Sequence, residues 1–259
     1  MAATMTGSDT AIHVDGLTRT FPPRDGEQVI ALDDINIDVQ ASTFTSVIGP
    51  SGCGKSTLFN IIAGLDQPTS GRVDIHGRDA TGLIGITGYM LQRDLLLPWR
   101  TILDNVILGL EVGGLARKQA RELALPLLGR YGLGGFERHY PRELSGGMRQ
   151  RAALVRTLLY NKDPILLDEP FGALDAQTRA NMQEWLLNIW EHEQKTVLFI
   201  THDLDEALFL SDVVFVMSPR PGRVIERIEV GLERPRSAEV MATPEFLELK
   251  AHLRTLLYD

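Results

Sequence analysis

The run Gly49-Pro50-Ser51-Gly52-Cys53-Gly54-Lys55-Ser56-Thr57 gathers the residue types that grip a polyphosphate. Glycine lets a backbone wrap closely around phosphate oxygens, so that successive N–H groups turn inward. A helix that starts there adds its positive N-terminal end to the same anion. Lys55 supplies a mobile cation for the β- and γ-phosphates of ATP, and Ser56 a hydroxyl ligand for Mg²⁺. The pattern is G-x4-G-K-[ST]. It falls between an apolar strand-like run, Phe44 to Ile48, and a helical one, Lys55 to Ala63, which is the context its chemistry requires. Cys53 occupies a variable position and needs no chemical role.

A second group of polar residues follows apolar runs. Ile165-Leu166-Leu167-Asp168-Glu169-Pro170 ends a strand in two carboxylates. Asp168 is the expected holder of Mg²⁺ and Glu169 the expected base for an attacking water. Alone, an Asp-Glu pair also suits a surface turn; beside a phosphate loop it becomes specific. His202 comes after Val197 to Ile200, and Gln92 after Gly88 to Leu91. His202 reads as a γ-phosphate sensor or a structural histidine. Gln92 reads as a ligand of Mg²⁺ and of the attacking water, or as a surface amide. Ser145-Gly146-Gly147 opens a helix running to about Tyr160, offering a hydroxyl, free N–H groups and a helix dipole. By itself that is an ordinary N-cap. One chain needs only one γ-phosphate site, whereas two chains arranged head to tail each use the other's second one.

The elements that must carry these residues alternate. Strand signals at Ala11 to Val14 and Ile35 to Val39 flank a turn marked by Phe21-Pro22-Pro23 and Asp25-Gly26, and Met1 to Asp9 is small, polar and expected to fray. Further strands are expected at Arg72 to Ile75 and Ile86 to Leu91. Helical spacing then takes over from Thr101 to Tyr160, with Leu123, Leu127 and Leu128, then Leu154, Leu158 and Leu159, as apolar faces. Strands return at Ile165 to Leu167, Thr196 to Ile200 and Val213 to Val216; a turn at Pro219-Arg220-Pro221-Gly222 leads into Val224 to Val230. Pro244 to Leu257 reads as a closing amphipathic helix. The pattern predicts a parallel α/β core interrupted by a helical insertion.

Composition agrees with that class. The 259 residues are 44% hydrophobic and 23% charged, and the net charge of −8 disfavours a nucleic-acid partner, which needs a basic surface. One cysteine permits no internal disulfide and no cysteine zinc cluster. The N-terminus lacks the pattern of a signal peptide, and no apolar run approaches the length of a membrane span. A cytoplasmic chain is expected, whose membrane role would require partners.

Taken together, these motifs resemble the nucleotide-binding subunits of ABC transporters over nearly the whole chain. In that family's terms Gly49 to Thr57 is similar to the Walker A loop, with Gly49, Ser51, Gly52, Gly54, Lys55, Ser56 and Thr57 on the nucleotide. Gln92 matches the Q-loop, Leu144 to Gln150 the signature, Ile165 to Glu169 Walker B, Ala173-Leu174-Asp175 the D-loop and His202 the switch histidine. The resemblance implies that Phe21 stacks on adenine, with a core position as the alternative. It further implies that Asp175, Ser145, Gly146 and Gly147 serve a partner's nucleotide. Gln92 to Thr101, Asp168 to Asp175, Thr201 to Ala207 and the Arg220-Pro221-Gly222 turn look like the nitrate/sulfonate/taurine importer branch, which also includes importers of thiamin-precursor pyrimidines; Met148 stands where a signature glutamine is commoner.

The implied architecture is a phosphate-loop, RecA-like parallel core with an antiparallel N-terminal part: residues 1–92 and 161–235 as core, 93–160 as helical subdomain, 236–259 as C-terminal extension. The implied activity is ATP hydrolysis that drives solute uptake from the cytoplasmic face of the membrane. The implied partners are a second copy closing an ATP sandwich, two integral-membrane subunits and, indirectly, a solute-binding protein. A non-transport ABC ATPase is the alternative. Leu95 to Trp99 reads either as a buried hinge or as a groove for a short helix of the membrane subunit.

Overall fold

The computed structural model describes residues 10–22, 28–160 and 162–258. Met1 to Asp9 and the turn expected at Pro23 to Gly26 lie outside them. The chain opens with β1 (Thr10–Phe21) and β2 (Val29–Gln40), paired antiparallel. In β2, Ile35, Ile37 and Val39 are buried between exposed Asp34, Asn36, Asp38 and Gln40, the period of two that a one-sided sheet imposes. Both strands run further than the alternation suggests. Register shifts at Val14/Leu17 and Leu17/Arg19 break the period in the second half of β1 and conceal it from pattern reading.

Next come β3 (Phe44–Ile48), α1 (Lys55–Ile62), β4 (Ser70–Ile75), β5 (Arg78–Asp79) and β6 (Gly88–Met90). β1, β2, β4 and β5 form one four-stranded sheet, in the order β2-β1-β4-β5. Gly64, with φ +76°, follows the end of α1 as a left-handed stop that only glycine adopts cheaply. Helices α2 (Ile102–Val106), α3 (Leu108–Val112), α4 (Arg117–Arg130) and α5 (Gly146–Leu159) follow and share a core of their own, including Ile102, Val106, Leu133 and Val155. The buried face of α4 is Ala120, Ala124 and Leu128, whereas Leu123 is exposed. The leucine spacing therefore misplaced this face by part of a turn, because small alanines rather than leucines make the close helix contact.

The chain then returns to the sheet through β7 (Ile165–Asp168), α6 (Ala176–Glu193), β8 (Val197–Ile200), α7 (Leu204–Leu210), β9 (Val213–Met217) and β10 (Val224–Glu229). The second sheet runs β10-β9-β3-β8-β7-β6, parallel throughout except for β10 against β9. β3, β7, β8 and β9 are buried at every residue, as strands covered on both faces must be. A last helix, α8 (Pro244–Tyr258), sets Phe246 and Leu253 into the core alongside α7 and β9. The C-terminal ends of β3, β6, β7 and β8 open towards one edge, where open parallel sheets hold ligands.

Candidate nucleotide site

The loop between β3 and α1 is shaped by contacts that exclude side chains. Gly54 caps α1 at φ +110°, and a Cβ there would stand 2.6 Å from Leu32 Cδ2 and 2.9 Å from the Ala31 carbonyl. Lys55 is buried, and its Nζ donates to the carbonyls of Gly49 (2.7 Å) and Pro50 (3.1 Å), so its charge is already aimed into the loop. Buried Cys53 lies beneath it, its Sγ 3.8 Å from Nζ.

Two carboxylates at the end of β7 behave differently. Asp168 is buried, and burial pushes its carboxyl above the ordinary range. The neighbouring Glu169 charge adds to this, while the Ser56 hydroxyl, the Tyr89 phenol and Lys55 pull the other way. Burial and the same Asp168 push the Tyr89 phenol up in turn. Glu169 takes φ +43°, a conformation that costs a non-glycine residue energy and is held here by its N–H donating to the Ile200 carbonyl. Its Oε2 accepts from Gln92 Nε2 at 3.1 Å and stands 3.4 Å from His202 Nδ1. Gln92 lies two residues beyond β6 and His202 two beyond β8, so three strand ends converge on one oxygen.

The turn that carries His202 is locked from below. Thr201 Oγ1 donates to Glu206 Oε2 (2.5 Å), Gln183 Nε2 to Glu206 Oε1 (2.9 Å), and the Asp203 N–H to Thr201 Oγ1 (3.0 Å). Burial pushes the Glu206 carboxyl up as well.

A cleft of about 470 Å³ joins the loop to these groups. Phe21, Val29 and Ala31 form an apolar wall; Ser51, Gly52, Gly54, Lys55, Ser56 and Thr57 form the anion cradle; Gln92 and Glu169 also line it. Phe21 belongs to none of the buried core clusters, and the Arg19 guanidinium covers one side of its ring at 4.5 Å while pairing with Asp66. A larger groove of about 770 Å³ runs between Glu229–Glu233 and α8, and no residue of the phosphate loop lines it. Three residues of the site escaped sequence reading: Tyr89, Glu206 and Arg220, which also lines the cleft. Each touches the chemistry only through the fold. Glu206 and Arg220 left a trace only as members of the Thr201 to Ala207 stretch and the Arg-Pro-Gly turn, with no role attached.

Ser145, Gly146, Gly147 and Asp175 do not line this cleft. Ser145 caps α5, accepting from the Met148 N–H at 3.3 Å, and Asp175 caps α6, accepting from the Thr178 N–H at 3.0 Å. That bond holds the Asp175 carboxyl below its ordinary range. The two caps adjoin, since a Cβ on Gly147 would lie 2.7 Å from Thr178 Cγ2. In the segment after Gln92, Leu96 is buried while Leu95 and Trp99 are exposed, Trp99 at 72%. A buried hinge therefore describes Leu96 and not Trp99.

A glycine-rich anion cradle between a buried strand and a helix, with a buried aspartate and a cleft-facing glutamate at the end of a second strand of the same sheet, defines a phosphate-loop nucleotide hydrolase. Residues 32–172 match the ABC transporter family, and the chain belongs to it. It is an ATP-binding, ATP-hydrolysing protein of that family. It is 47% identical over 248 residues to an uncharacterized ABC transporter ATP-binding protein of Methanocaldococcus jannaschii, with 96% of this chain and 91% of that one covered. It is 45% identical over 254 residues to the taurine import ATP-binding protein TauB of Rhizobium johnstonii, with 96% and 97% covered. Among solved structures, the dimeric bacterial ABC transporter cassette MJ0796 superposes with a TM-score of 0.75 at 33% identity, over 86% of this chain and all of that one. The same cassette with ADP and phosphate, in a post-hydrolysis state, gives 0.74 at 32% over the same shares. No helix among the described residues is long and apolar enough to cross a membrane.

Proposed function

We propose that this chain hydrolyses ATP as the energising subunit of an ABC importer for a small anion such as taurine, another sulfonate or nitrate. The observation that carries the catalytic part is the convergence of Gln92 and His202 on Glu169 Oε2, beside a preformed phosphate loop. In this reading ATP lies in the cleft with adenine on Phe21 and its phosphates on the loop N–H groups and Lys55. Glu169 takes the proton of the attacking water as the bond between the γ-phosphorus and the leaving ADP oxygen breaks. Gln92 and His202 position that water and the γ-phosphate.

The hard oxygen donors and the poorly compensated buried charge of Asp168 suit a magnesium ion. Ser56, Asp168 and Gln92 would hold it, and when bound it supplies charge neutralisation at the phosphate oxygens.

Ser145, Gly146, Gly147 and Asp175 serve the ATP of a second copy. Ser145, Gly146 and Asp175 are exposed at two adjoining helix N-termini, with Gly147 buried against Thr178, and none of the four lines the chain's own cleft; that supports the arrangement. Residues 93–160 move as a unit against the core formed by 1–92 and 161–235, with 236–259 as an extension. The support is that Arg156 donates to the Asp94 and Leu95 carbonyls and Arg149 to the Asp94 carboxylate, which fastens the segment after Gln92 to α5. Exposed Trp99 and Leu95 then offer the apolar contact for two integral-membrane subunits, which place this chain at the cytoplasmic face of the membrane and connect it to a solute-binding protein.

ATP-dependent uptake into proteoliposomes that contain this chain and its membrane subunits tests the reading. Uptake of taurine, another sulfonate or nitrate is expected, matching the ligand that stabilises the cognate binding protein in thermal shift. Uptake of a pyrimidine instead would overturn the anion assignment, and absence of ATP hydrolysis by the purified chain would overturn the whole.

A further inference from the structure

Arg220 stands on the wall of the ATP cleft with almost nothing to do inside the chain. Its Nε and one terminal nitrogen both donate to a single acceptor, the Gly52 carbonyl, each at 3.4 Å. That is long for a hydrogen bond and leaves most of its five donors unused. Nearby arginines differ: Arg223 is held by Asp33, its Nε at 3.0 Å, and Arg19 by Asp66 at 2.7 Å. Among the described residues no carboxylate pairs with Arg220, and its side chain is exposed to the cleft.

The turn that carries it is rigidly placed. The Gly222 N–H donates to the Ala31 carbonyl at 3.0 Å, and the Asp33 N–H to the Gly222 carbonyl at 2.9 Å. Gly222 lies so close to the loop that a Cβ would stand 2.1 Å from the Cys53 carbonyl. Ser218 Oγ closes the turn by donating to the Pro221 carbonyl at 3.0 Å. An uncommitted guanidinium is therefore fixed beside the anion cradle, on a turn bonded to the Ala31 carbonyl of the apolar wall.

We infer that Arg220 is a nucleotide-binding residue that contacts the inner, α- and β-phosphate part of ATP and ADP. This rests on the nucleotide reading of the cleft and adds a second cation to Lys55. A guanidinium binds phosphate oxygens in a planar fork, and its placement with the apolar wall sets it on the part of the ligand that ATP and ADP share.

Isothermal titration of the full chain with ATP and with ADP tests the inference, on wild type, Arg220→Ala, Arg220→Lys and Lys55→Ala. Arg220→Ala is expected to weaken both nucleotides by about tenfold, the scale of one charge-assisted hydrogen bond, with Arg220→Lys between it and wild type. The KM for ATP should rise in step with the Kd. Unchanged affinity in Arg220→Ala while Lys55→Ala loses binding would overturn the role of Arg220 and leave the nucleotide site standing. Loss confined to ATP would overturn the inner-phosphate contact. A fall in melting temperature without a change in Kd would make Arg220 a staple of the loop. No binding of either nucleotide by wild type would defeat the underlying reading instead.

Discussion

His202 Nδ1 stands 3.4 Å from Glu169 Oε2, although the two residues leave different strands and are 33 positions apart. Parallel pairing of β7 with β8 places those strand ends side by side, and the left-handed backbone of Glu169 turns its carboxylate into the cleft. Glu169→Gln keeps the shape and the bond potential but removes the base. Turnover should fall by on the order of 10²–10⁴ while ATP binding survives, and an ATP-bound dimer should accumulate on size exclusion. Turnover above about a tenth of wild type would remove Glu169 from this role.

Ser145→Arg should stop hydrolysis without weakening ATP binding to the isolated chain, because Ser145 does not line that chain's own cleft. A mixture with Lys55→Ala chains separates the arrangements. Head to tail, one composite site of the mixed dimer retains both an intact loop and an intact serine, so ATP is still trapped there. Trapping by neither site would exclude this geometry.

Asp168 is held above the ordinary carboxylate range, so the native chain binds its proton more tightly than the unfolded one. Stability of the nucleotide-free protein should therefore decline as pH rises from about 4 through the raised native value. Asp168→Asn should flatten that decline and raise the melting temperature near pH 7.5 by about 2–4 °C, while turnover with Mg²⁺ and ATP falls by roughly 10–100-fold. Melting curves across pH, with and without Mg²⁺-ATP, measure both. A lower melting temperature in the variant would contradict the buried-charge account.

Gly222→Ala places a methyl group where the Cys53 carbonyl and Met217 Cε already are, at 2.1 and 2.9 Å. Relief requires moving the phosphate loop, so stability should drop by about 1–3 kcal/mol and ATP affinity should fall with it. Denaturant midpoints and ATP titration report the two together; an unaffected ATP affinity would mean that the turn moves and the loop does not.

Trp99, 72% exposed, can be lost without opening a cavity. Trp99→Ala should leave the melting temperature and ATPase of the isolated chain within error. In the assembled complex, solute-stimulated ATPase should fall several-fold, or the membrane subunits should fail to co-purify. Matching losses in the isolated chain would assign Trp99 to internal packing.

The residues that bind and cleave ATP are legible in the sequence because their chemistry depends on local geometry. A phosphate loop needs glycines at fixed intervals and a lysine at the helix start, all within nine consecutive residues. Strands covered on both faces write themselves as apolar runs, which is why β3 is legible to the residue and β7, β8 and β9 to within one residue at either end. Where the period is interrupted, as in the bulged half of β1, or where alanines make the contact, as on α4, the pattern fades or misleads. Tertiary structure alone decided which distant side chains meet. Tyr89 reaches Asp168 and Glu206 underpins the His202 turn because strand order and helix packing, not chain spacing, bring them there. Arg220 reaches the loop from 168 residues away, since β9 lies beside β3 and the turn beyond it closes over the phosphate loop.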